Sequence, residues 1–239
     1  MKRIWLMVIR NIVAVPFFYL KLCYYAWNSR KIEEEKKLAL FKEIVARANQ
    51  GGNVTVRSYG MEHIPKNESF IYVPNHQGMY DVLAILSGTP CFFSVVMKKE
   101  LEHIPFLNKI FQIMGAYSMD REDVRQAMKV ILKVSQEVSS GKNFLIFPEG
   151  TRSRKKNTVG DFKGGSFKCA TKAKCPIVPV AIVDSYKVFD EDSVRNVTVT
   201  VQYLEPLLYE DYKMMKTNEI AELVEEKIRE AVKKIEKNS

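Results

Sequence analysis

The chain has 239 residues, 46% of them hydrophobic, and a formal net charge of +9. Its length suffices for one sizeable core, and its charge predicts an anionic partner: a nucleic acid, a membrane surface or a phosphorylated substrate. The four cysteines form no CxxC pair and none of the three histidines lies near two cysteines, which argues against a disulfide framework or a zinc site and favours reduced thiols in a cytosol-facing domain.

The first 30 residues are basic, apolar and aromatic, and they contain no acidic residue. Their longest uninterrupted apolar run, residues 12–20, is shorter than the ~20 residues that a membrane-spanning helix needs, and no small-residue cleavage site of a signal peptide follows it. The segment therefore predicts an interfacial helix in the lipid headgroup region, bent at Pro16. A tilted spanning helix whose Arg10 and Lys21 reach the interface and a plain core helix are the alternatives.

Residues 31–49 have the apolar spacing of a second helix, which Gly51 and Gly52 are expected to end. Residues 1–52 are thus predicted to form a two-helix hairpin that binds membranes, followed by a catalytic domain over residues 53–239. From Asn53 onwards, short β-like runs alternate with helical patterns. The predicted strands are 54–59, 70–73, 91–96, 116–119, 143–147, 177–183 and 197–203, and the predicted helices are 81–86, 104–114, 124–138 and 217–237. This alternation is typical of an α/β fold with a mixed, largely parallel sheet flanked by helices.

One candidate site lies in residues 74–81, where a predicted strand leads into a helix. In α/β folds, this end of the strands carries the chemistry. His76 is a candidate general base, and Asp81 a candidate to orient its ring, provided that the turn between them bends back. The simpler alternative is that Asn75 caps the helix and His76 is an ordinary surface residue.

A second candidate site follows the next buried strand, in residues 147–154. Glu149, Thr151 and Arg152 are placed to bind a polar ligand, and an arginine can hold a phosphate through two hydrogen bonds. A backbone amide beside Gly150 can approach such a ligand closely. A charged turn at the end of a strand, without a binding role, is the alternative.

Two further predicted strands also end in cations, Lys98 and Arg121. Because strand ends at one edge of an α/β sheet can converge, Lys98, Arg121 and Arg152 are candidates for one anion site. The alternatives are a solvated lysine and a local ion pair between Asp120 and Arg121.

Residues 152–174 contain eight basic residues and one acid, Asp161. This stretch predicts binding to lipid headgroups or to an acidic donor carrier, whereas nucleic acid is disfavoured because no aromatic residues interleave as a stacking platform. No G-x-S-x-G, P-loop or G-x-G-x-x-G pattern is present, and no cysteine lies in a nucleophile motif. A His–Asp pair without a protein nucleophile indicates that the attacking group belongs to the substrate.

Taken together, four blocks resemble those of the lysophosphatidic acid acyltransferases, the 1-acyl-glycerol-3-phosphate acyltransferase family. The chain matches N-H-x4-D at residues 75–81, G-x4-D-R at 115–121, F-P-E-G-T-R-S at 147–153 and V-P-V-A at 178–181. The blocks stand in the family's order over about residues 75–181. The chain departs from the family at Gly78, where many relatives carry serine.

The resemblance implies a glycerolipid acyltransferase fold and acyl transfer from a thioester of acyl carrier protein or coenzyme A to the sn-2 hydroxyl of lysophosphatidic acid, which makes phosphatidic acid. It implies direct attack without a covalent enzyme intermediate, with His76 as general base and Asp81 orienting it. It assigns the acceptor phosphate to Lys98, Arg121 and Arg152. Glu149, Gly150 and Thr151 would shape the acceptor site, with a backbone amide near Gly150 for the oxyanion.

The resemblance also implies no metal and no cofactor, and N-terminal helices that seat the enzyme on the cytoplasmic face of the cell membrane. The same chemistry on glycerol 3-phosphate or another lysophospholipid is the nearest alternative. A metal-dependent phosphoesterase that uses His76, Asp81 and Glu149, and a non-catalytic binder of anionic lipid or nucleic acid, are the alternatives from other classes.

Overall fold

The N-terminal segment forms three helices rather than the predicted two. In the computed structural model, which describes residues 2–120 and 123–238, these helices are α1 (Lys2–Arg10), α2 (Ala14–Trp27) and α3 (Glu34–Gly52). The axes of α1 and α2 differ by 94°, so the predicted bend exists, but its predicted position at Pro16 is wrong. Pro16 lies in the first turn of α2, where a residue without an N–H group is tolerated.

Helix α3 runs through the two glycines that were expected to end it and stops at Asn53, which has the left-handed φ of 55°. The glycines are needed because α1 crosses at this point. A Cβ atom on Gly52 would lie 2.3 Å from Cε of Met7. The division at residue 52 stays a prediction, although α1 and α2 contact helices of the following domain.

The described residues contain one seven-stranded sheet in the order β1-β7-β6-β2-β5-β3-β4. Only the β6–β7 pair is antiparallel, which confirms the predicted mixed, largely parallel sheet. The strands are β1 Val54–Tyr59, β2 Ile71–Pro74, β3 Ser94–Lys98, β4 Tyr117–Met119, β5 Phe144–Leu145, β6 Ile177–Val183 and β7 Val197–Tyr203. Each predicted strand is present, although β5 is shorter than expected and β3 begins three residues later.

Helices cover both faces of the sheet. They are α4 Asp81–Gly88, α5 Pro105–Met114, α6 Val124–Ser139, α7 Lys168–Ala173, α8 Tyr186–Phe189, α9 Tyr209–Tyr212 and α10 Thr217–Lys237. Strand β6 is buried along its whole length, and its side chains alternate between the two core layers because successive residues point to opposite faces. Val180 joins the layer beneath α1–α5, whereas Ala181 joins the layer beneath α6, α7 and α10.

Strands β2, β3, β4, β5 and β6 run in one direction, so their carboxyl ends share one edge of the sheet. The segments after these strands contain residues 75–81, 99–104, 146–163 and 184–185. This topology brings both sequence blocks with candidate chemistry to the same place.

Candidate active site

The loop between β2 and α4 is clamped to β6 by a buried asparagine. Asn75 Nδ2 donates to the carbonyl oxygen of Ile182 at 3.0 Å, and Ile182 N donates back to Asn75 Oδ1 at 2.8 Å. Helix α4 begins at Asp81 and Tyr80 holds the cap position. The alternative in which Asn75 caps the helix is therefore wrong.

The same loop bends back and joins His76 to Asp81. His76 Nδ1 lies 2.7 Å from Asp81 Oδ2, which confirms that the two side chains meet. The buried carboxylate of Asp81 also accepts hydrogen bonds from the backbone N–H groups of Gln77 at 2.8 Å and Gly78 at 3.1 Å, and from the hydroxyl of Ser185. These donors satisfy the buried carboxyl group and fix its position at the start of α4.

Gly78 lets the loop lie close to α8 and Asp190. A Cβ atom there would lie 3.1 Å from Asp190 Oδ2 and 3.3 Å from Cα of Tyr186. The departure from the family's serine thus occurs where the loop passes close to α8.

His76 is also held from the other side by residues that follow β5. Its ring stacks on Phe147 with the ring centres 3.9 Å apart and an angle of 23° between the planes. Its backbone N–H donates to Glu149 Oε1 at 2.7 Å, and its carbonyl oxygen accepts from Ser153 N at 2.8 Å. The ring is 17% exposed. Since an ionised carboxylate only accepts, Nδ1 donates to Asp81, and Nε2 is left with a lone pair.

Glu149 supports the site from within. Its buried carboxyl group accepts from His76 N and from the backbone of Gly160. Burial raises the pKa of Glu149 to about 7, against the lowering effect of these two hydrogen bonds. The side chain therefore joins the loop after β2 to the segment around Gly160.

Gly150, Thr151 and Arg152, which were also predicted as site residues, lie in the turn that follows β5. Gly150 has a φ of 71°, and its N–H donates to the carbonyl oxygen of Phe147 at 3.1 Å. The predicted oxyanion role of an amide near Gly150 stays a prediction. Thr151 is exposed. Arg152 follows Thr151, and its Nη1 lies 3.6 Å from Asp190 Oδ1. Asp190 is also the residue that lies close to Gly78.

Lys98, at the end of β3, pairs with Glu100 at 2.7 Å, and no hydrogen bond or ion pair within the described ranges joins it to the His76–Asp81 pair. Arg121 lies outside the described residues. The predicted convergence of three cations therefore stays a prediction.

Gln77, Asn157 and Ser185 also belong to the site, although none of them was predicted as a site residue. Ser185 N donates to Gln77 Oε1 at 3.0 Å, and Gln77 Nε2 donates to Asn157 Oδ1 at 2.8 Å. Asn157 Nδ2 then reaches Asp184 Oδ1 at 3.0 Å and Glu236 Oε1, on α10, at 2.9 Å. Ser185 comes two residues after a predicted strand, so the strand-end argument used for Arg152 would have found it.

An apolar groove of about 280 Å³ opens beside Phe147 and Gly150. Side chains from β3, β4, α6 and the segment directly after β5 form its walls. They include Val96, Met97, Met119, Ala127, Met128, Ile131 and Ile146, with Lys163 and Lys168 at the rim. A narrow apolar groove of this kind suits an alkyl chain.

The metal-dependent alternative lacks a visible ligand set. Over residues 2–120 and 123–238, no three or more His, Cys, Asp and Glu side chains lie together in a way that could hold a metal ion.

Comparison with known proteins points to one family. A family model described as acyltransferase matches residues 55–183, more than half of the chain. A protein of Saccharomyces cerevisiae named 1-acyl-sn-glycerol-3-phosphate acyltransferase is 31% identical over 189 residues, which cover 75% of this chain and 60% of the relative. Proteins with the same name from Borreliella burgdorferi (33% over 150 residues, 62% and 60%) and Salmonella typhimurium (31% over 170 residues, 69% and 69%) also match.

The chain thus spans about 60% of the length of the first two relatives. The crystal structure of the 1-acyl-sn-glycerophosphate acyltransferase from Thermotoga maritima superposes with a TM-score of 0.80 at 24% identity, over 98% of this chain and 96% of that one. At that identity, the likeness shows a common fold. The match to the family model contains His76, Asp81 and the whole turn after β5, and the chain belongs to the acyltransferase family.

Proposed function

We propose that this protein transfers a fatty acyl group from a thioester to the sn-2 hydroxyl of 1-acyl-glycerol 3-phosphate, making phosphatidic acid. The observation that carries the proposal is the His76–Asp81 pair, in which the buried carboxyl group holds Nδ1 of the ring, beside an apolar groove. The names of the relatives, at 31–33% identity, support the choice of acceptor.

In the proposed mechanism, His76 Nε2 takes the proton of the acceptor hydroxyl while Nδ1–H remains bonded to Asp81. The hydroxyl oxygen attacks the thioester carbonyl, and the tetrahedral intermediate collapses by breaking the C–S bond. The imidazolium then returns its proton to the departing thiolate. The thioester is already activated, so a positioned base and a fixed acceptor supply what the reaction needs.

The donor and the acceptor each carry an acyl chain that needs an apolar surface. The groove beside Phe147 provides such a surface for one acyl chain. We assign the acceptor phosphate to Arg152 together with Lys98 and Arg121. The guanidinium of Arg152 is partly exposed and lies 3.6 Å from Asp190, so a phosphate with two negative charges would compete with that single carboxylate. The donor, acyl carrier protein or coenzyme A, is left to the assay.

We also propose that α1 and α2 rest on the cytoplasmic surface of the cell membrane. Among the described residues, no single helix has the length and apolar character to cross a bilayer, and only α1 and α2 taken as a bent pair meet that criterion. Their outer surface carries exposed apolar side chains, namely Trp5, Ile9, Ile12, Val13, Phe17, Leu20, Tyr24 and Trp27. Arg3, in contrast, is buried and bonds to backbone carbonyl oxygens of Gly52 and Val188.

This arrangement is the reverse of a water-facing helix, and it fits an interfacial location. The four cysteines are free thiols, which suits a reducing compartment on the cytoplasmic side.

The decisive experiment is an assay of purified protein with lysophosphatidic acid and the acyl thioesters of both carriers. We expect phosphatidic acid from the wild type, and a loss of roughly 10²–10⁴-fold in His76→Ala, the usual contribution of a general base. His103→Ala is the matched control, because His103 is exposed beyond β3. Full acyl transfer by His76→Ala, or no phosphatidic acid with either donor, would refute the proposal. Glycerol 3-phosphate and neutral lysophospholipids in the same assay test the alternative acceptors.

A further inference from the structure

We infer that Lys163 and Lys168 form a phosphate-binding site at the rim of the apolar groove, a site that takes the phosphate group of an acyl-chain-bearing substrate. The inference rests on the proposed function and adds two residues that none of the four family-like blocks contains.

Lys163 is held against the turn that carries the family-like block after β5. Its backbone N–H donates to the carbonyl oxygen of Pro148 at 3.0 Å. Its ammonium nitrogen lies 3.2 Å from the position that a Cβ atom on Gly150 would occupy. Gly150 follows Phe147 by three residues, and Phe147 stacks on the His76 ring. The cation therefore lies over the turn whose Phe147 packs on the His76 ring.

The absence of a side chain at Gly150 lets the ammonium of Lys163 lie close over the turn. A Cβ atom there would lie 3.2 Å from the ammonium nitrogen, so the lysine side chain would have to shift by a few tenths of an ångström, and the positive φ of Gly150 already favours glycine. The sequence of the turn thus creates room for a cation that comes from a different loop.

The charge of the two lysines is available, whereas that of the neighbouring cations is already partly neutralised. Lys98 pairs with Glu100 at 2.7 Å, Lys99 with Asp120 at 3.6 Å and Arg152 with Asp190 at 3.6 Å. Lys163 and Lys168 form no ion pair with any residue in the described ranges.

The nearest acid on the same turn cannot neutralise them either, because the carboxyl group of Glu149 is turned inward to His76 N and Gly160. Free ammonium groups offer three donors each to an anion.

The surroundings select the class of ligand. Below the rim, the groove is lined mainly by aliphatic and methionine side chains from β3, β4, α6 and the segment directly after β5. Two cations above such a surface complement a molecule with an alkyl chain and a phosphate. Both substrates of the proposed reaction have this chemistry: the acceptor carries a phosphate monoester, and the donor carries phosphate on the arm that bears the thioester.

The test compares Lys163→Gln and Lys168→Gln with the matched control Lys172→Gln, an exposed lysine of α7 that does not line the groove. Each variant is assayed with lysophosphatidic acid against 1-monoacylglycerol as acceptor, and with acyl-coenzyme A against acyl-N-acetylcysteamine, which lacks phosphate, as donor. We expect kcat/KM to fall about tenfold or more for the phosphate-bearing partner, the usual value of a hydrogen bond to a charged group, with little change for its phosphate-free counterpart. A loss confined to lysophosphatidic acid assigns the site to the acceptor phosphate, and a loss confined to acyl-coenzyme A assigns it to the donor phosphate.

Equal losses with and without the phosphate, or losses no larger than those of Lys172→Gln, would overturn the inference. Calorimetric binding of lysophosphatidic acid and of coenzyme A gives a readout that needs no turnover. If the wild type makes no phosphatidic acid, the proposed function fails, while tenfold weaker binding by Lys163→Gln still supports the site. Unchanged binding of both ligands refutes the site even if the enzyme is active.

Discussion

At the scale of single residues, two opposing influences act on Glu149. The residue is 5% exposed, and burial disfavours the charged form of its carboxyl group. Two backbone N–H groups, from His76 and Gly160, favour the same charged form. Burial is the larger influence and raises the pKa of Glu149 from 4.5 to about 7, so the protonated and ionised forms coexist near neutral pH.

This pKa predicts how stability depends on pH. Between about pH 4.5 and 7, the folded protein holds a proton on Glu149 that the unfolded chain has released. The stabilisation is complete below pH 4.5 and is lost as the pH rises through 7. We expect the free energy of unfolding of the wild type, relative to Glu149→Gln, to decrease by about 2–3 kcal/mol from pH 5 to pH 8. Urea denaturation at the two pH values measures it.

The variant itself is expected to be less stable by about 1–3 kcal/mol at low pH, because glutamine offers one acceptor oxygen where the carboxyl group serves two N–H donors. A difference between wild type and variant that does not change with pH would contradict the raised pKa.

The sequence predicted Glu149 as a site residue, but it could not predict whether the Glu149 side chain points into the protein or towards solvent. The F-P-E-G-T-R-S block places it in a turn after a buried strand, and a sequence pattern carries no information on whether a side chain in a turn faces solvent or the loop behind it. The contact of His76 with Asp81 was more predictable, since both residues belong to one short loop and only a bend was needed.

At the scale of elements, the junction of β6 and α8 completes the site from the far side of β2. Ser185 lies just before α8. Its hydroxyl donates to Asp81, and its N–H donates to Gln77, whose own N–H also donates to Asp81. The His76–Asp81 pair is therefore held by two strands that are neighbours in the sheet and far apart in the chain.

Ser185→Ala tests this positioning role. Alanine removes one donor to the buried carboxylate without adding bulk, so Asp81 loses part of the restraint that keeps His76 in its orientation. We expect kcat to fall about tenfold, the equivalent of one such hydrogen bond, while KM for both substrates stays unchanged. Steady-state kinetics separate the two parameters. Ser140→Ala, at the exposed end of α6, serves as control, and a change confined to KM would argue against positioning.

The elements differ in how well the sequence predicts them. The seven strands were predictable because each is a compact β-like run, either continuously apolar or alternating, bounded by turn residues. Helices α7, α8 and α9 were not, because four to six residues are too few to show a helical period. Ser185 could have been proposed from its position after a predicted strand, but its contacts with Asp81 and Gln77 depend on the pairing of β2 with β6, which no local pattern shows.

At the scale of the whole molecule, the N-terminal helices pack against an element that supports the candidate active site. The buried guanidinium of Arg3 donates through Nε to the carbonyl oxygen of Val188, in α8, at 3.1 Å and through Nη1 to that of Gly52 at 2.6 Å. Helix α8 thus contacts α1 and directly follows the residue that holds Asp81. The helices with the exposed apolar surface are therefore packed firmly against the domain that contains the proposed chemistry.

The two tryptophans of the chain provide a direct test of the proposed membrane contact. Both lie in the N-terminal helices, Trp5 with 66% and Trp27 with 92% of its surface exposed. Intrinsic tryptophan fluorescence therefore reports on this segment alone. If α1 and α2 enter the headgroup region, vesicles of phosphatidylglycerol and phosphatidylcholine should shift the emission to shorter wavelength, and added salt should weaken binding because basic residues flank the apolar surface. Trp5→Phe and Trp27→Phe assign the shift to each helix. An emission maximum unchanged by vesicles in all three proteins would show that this apolar surface serves another purpose.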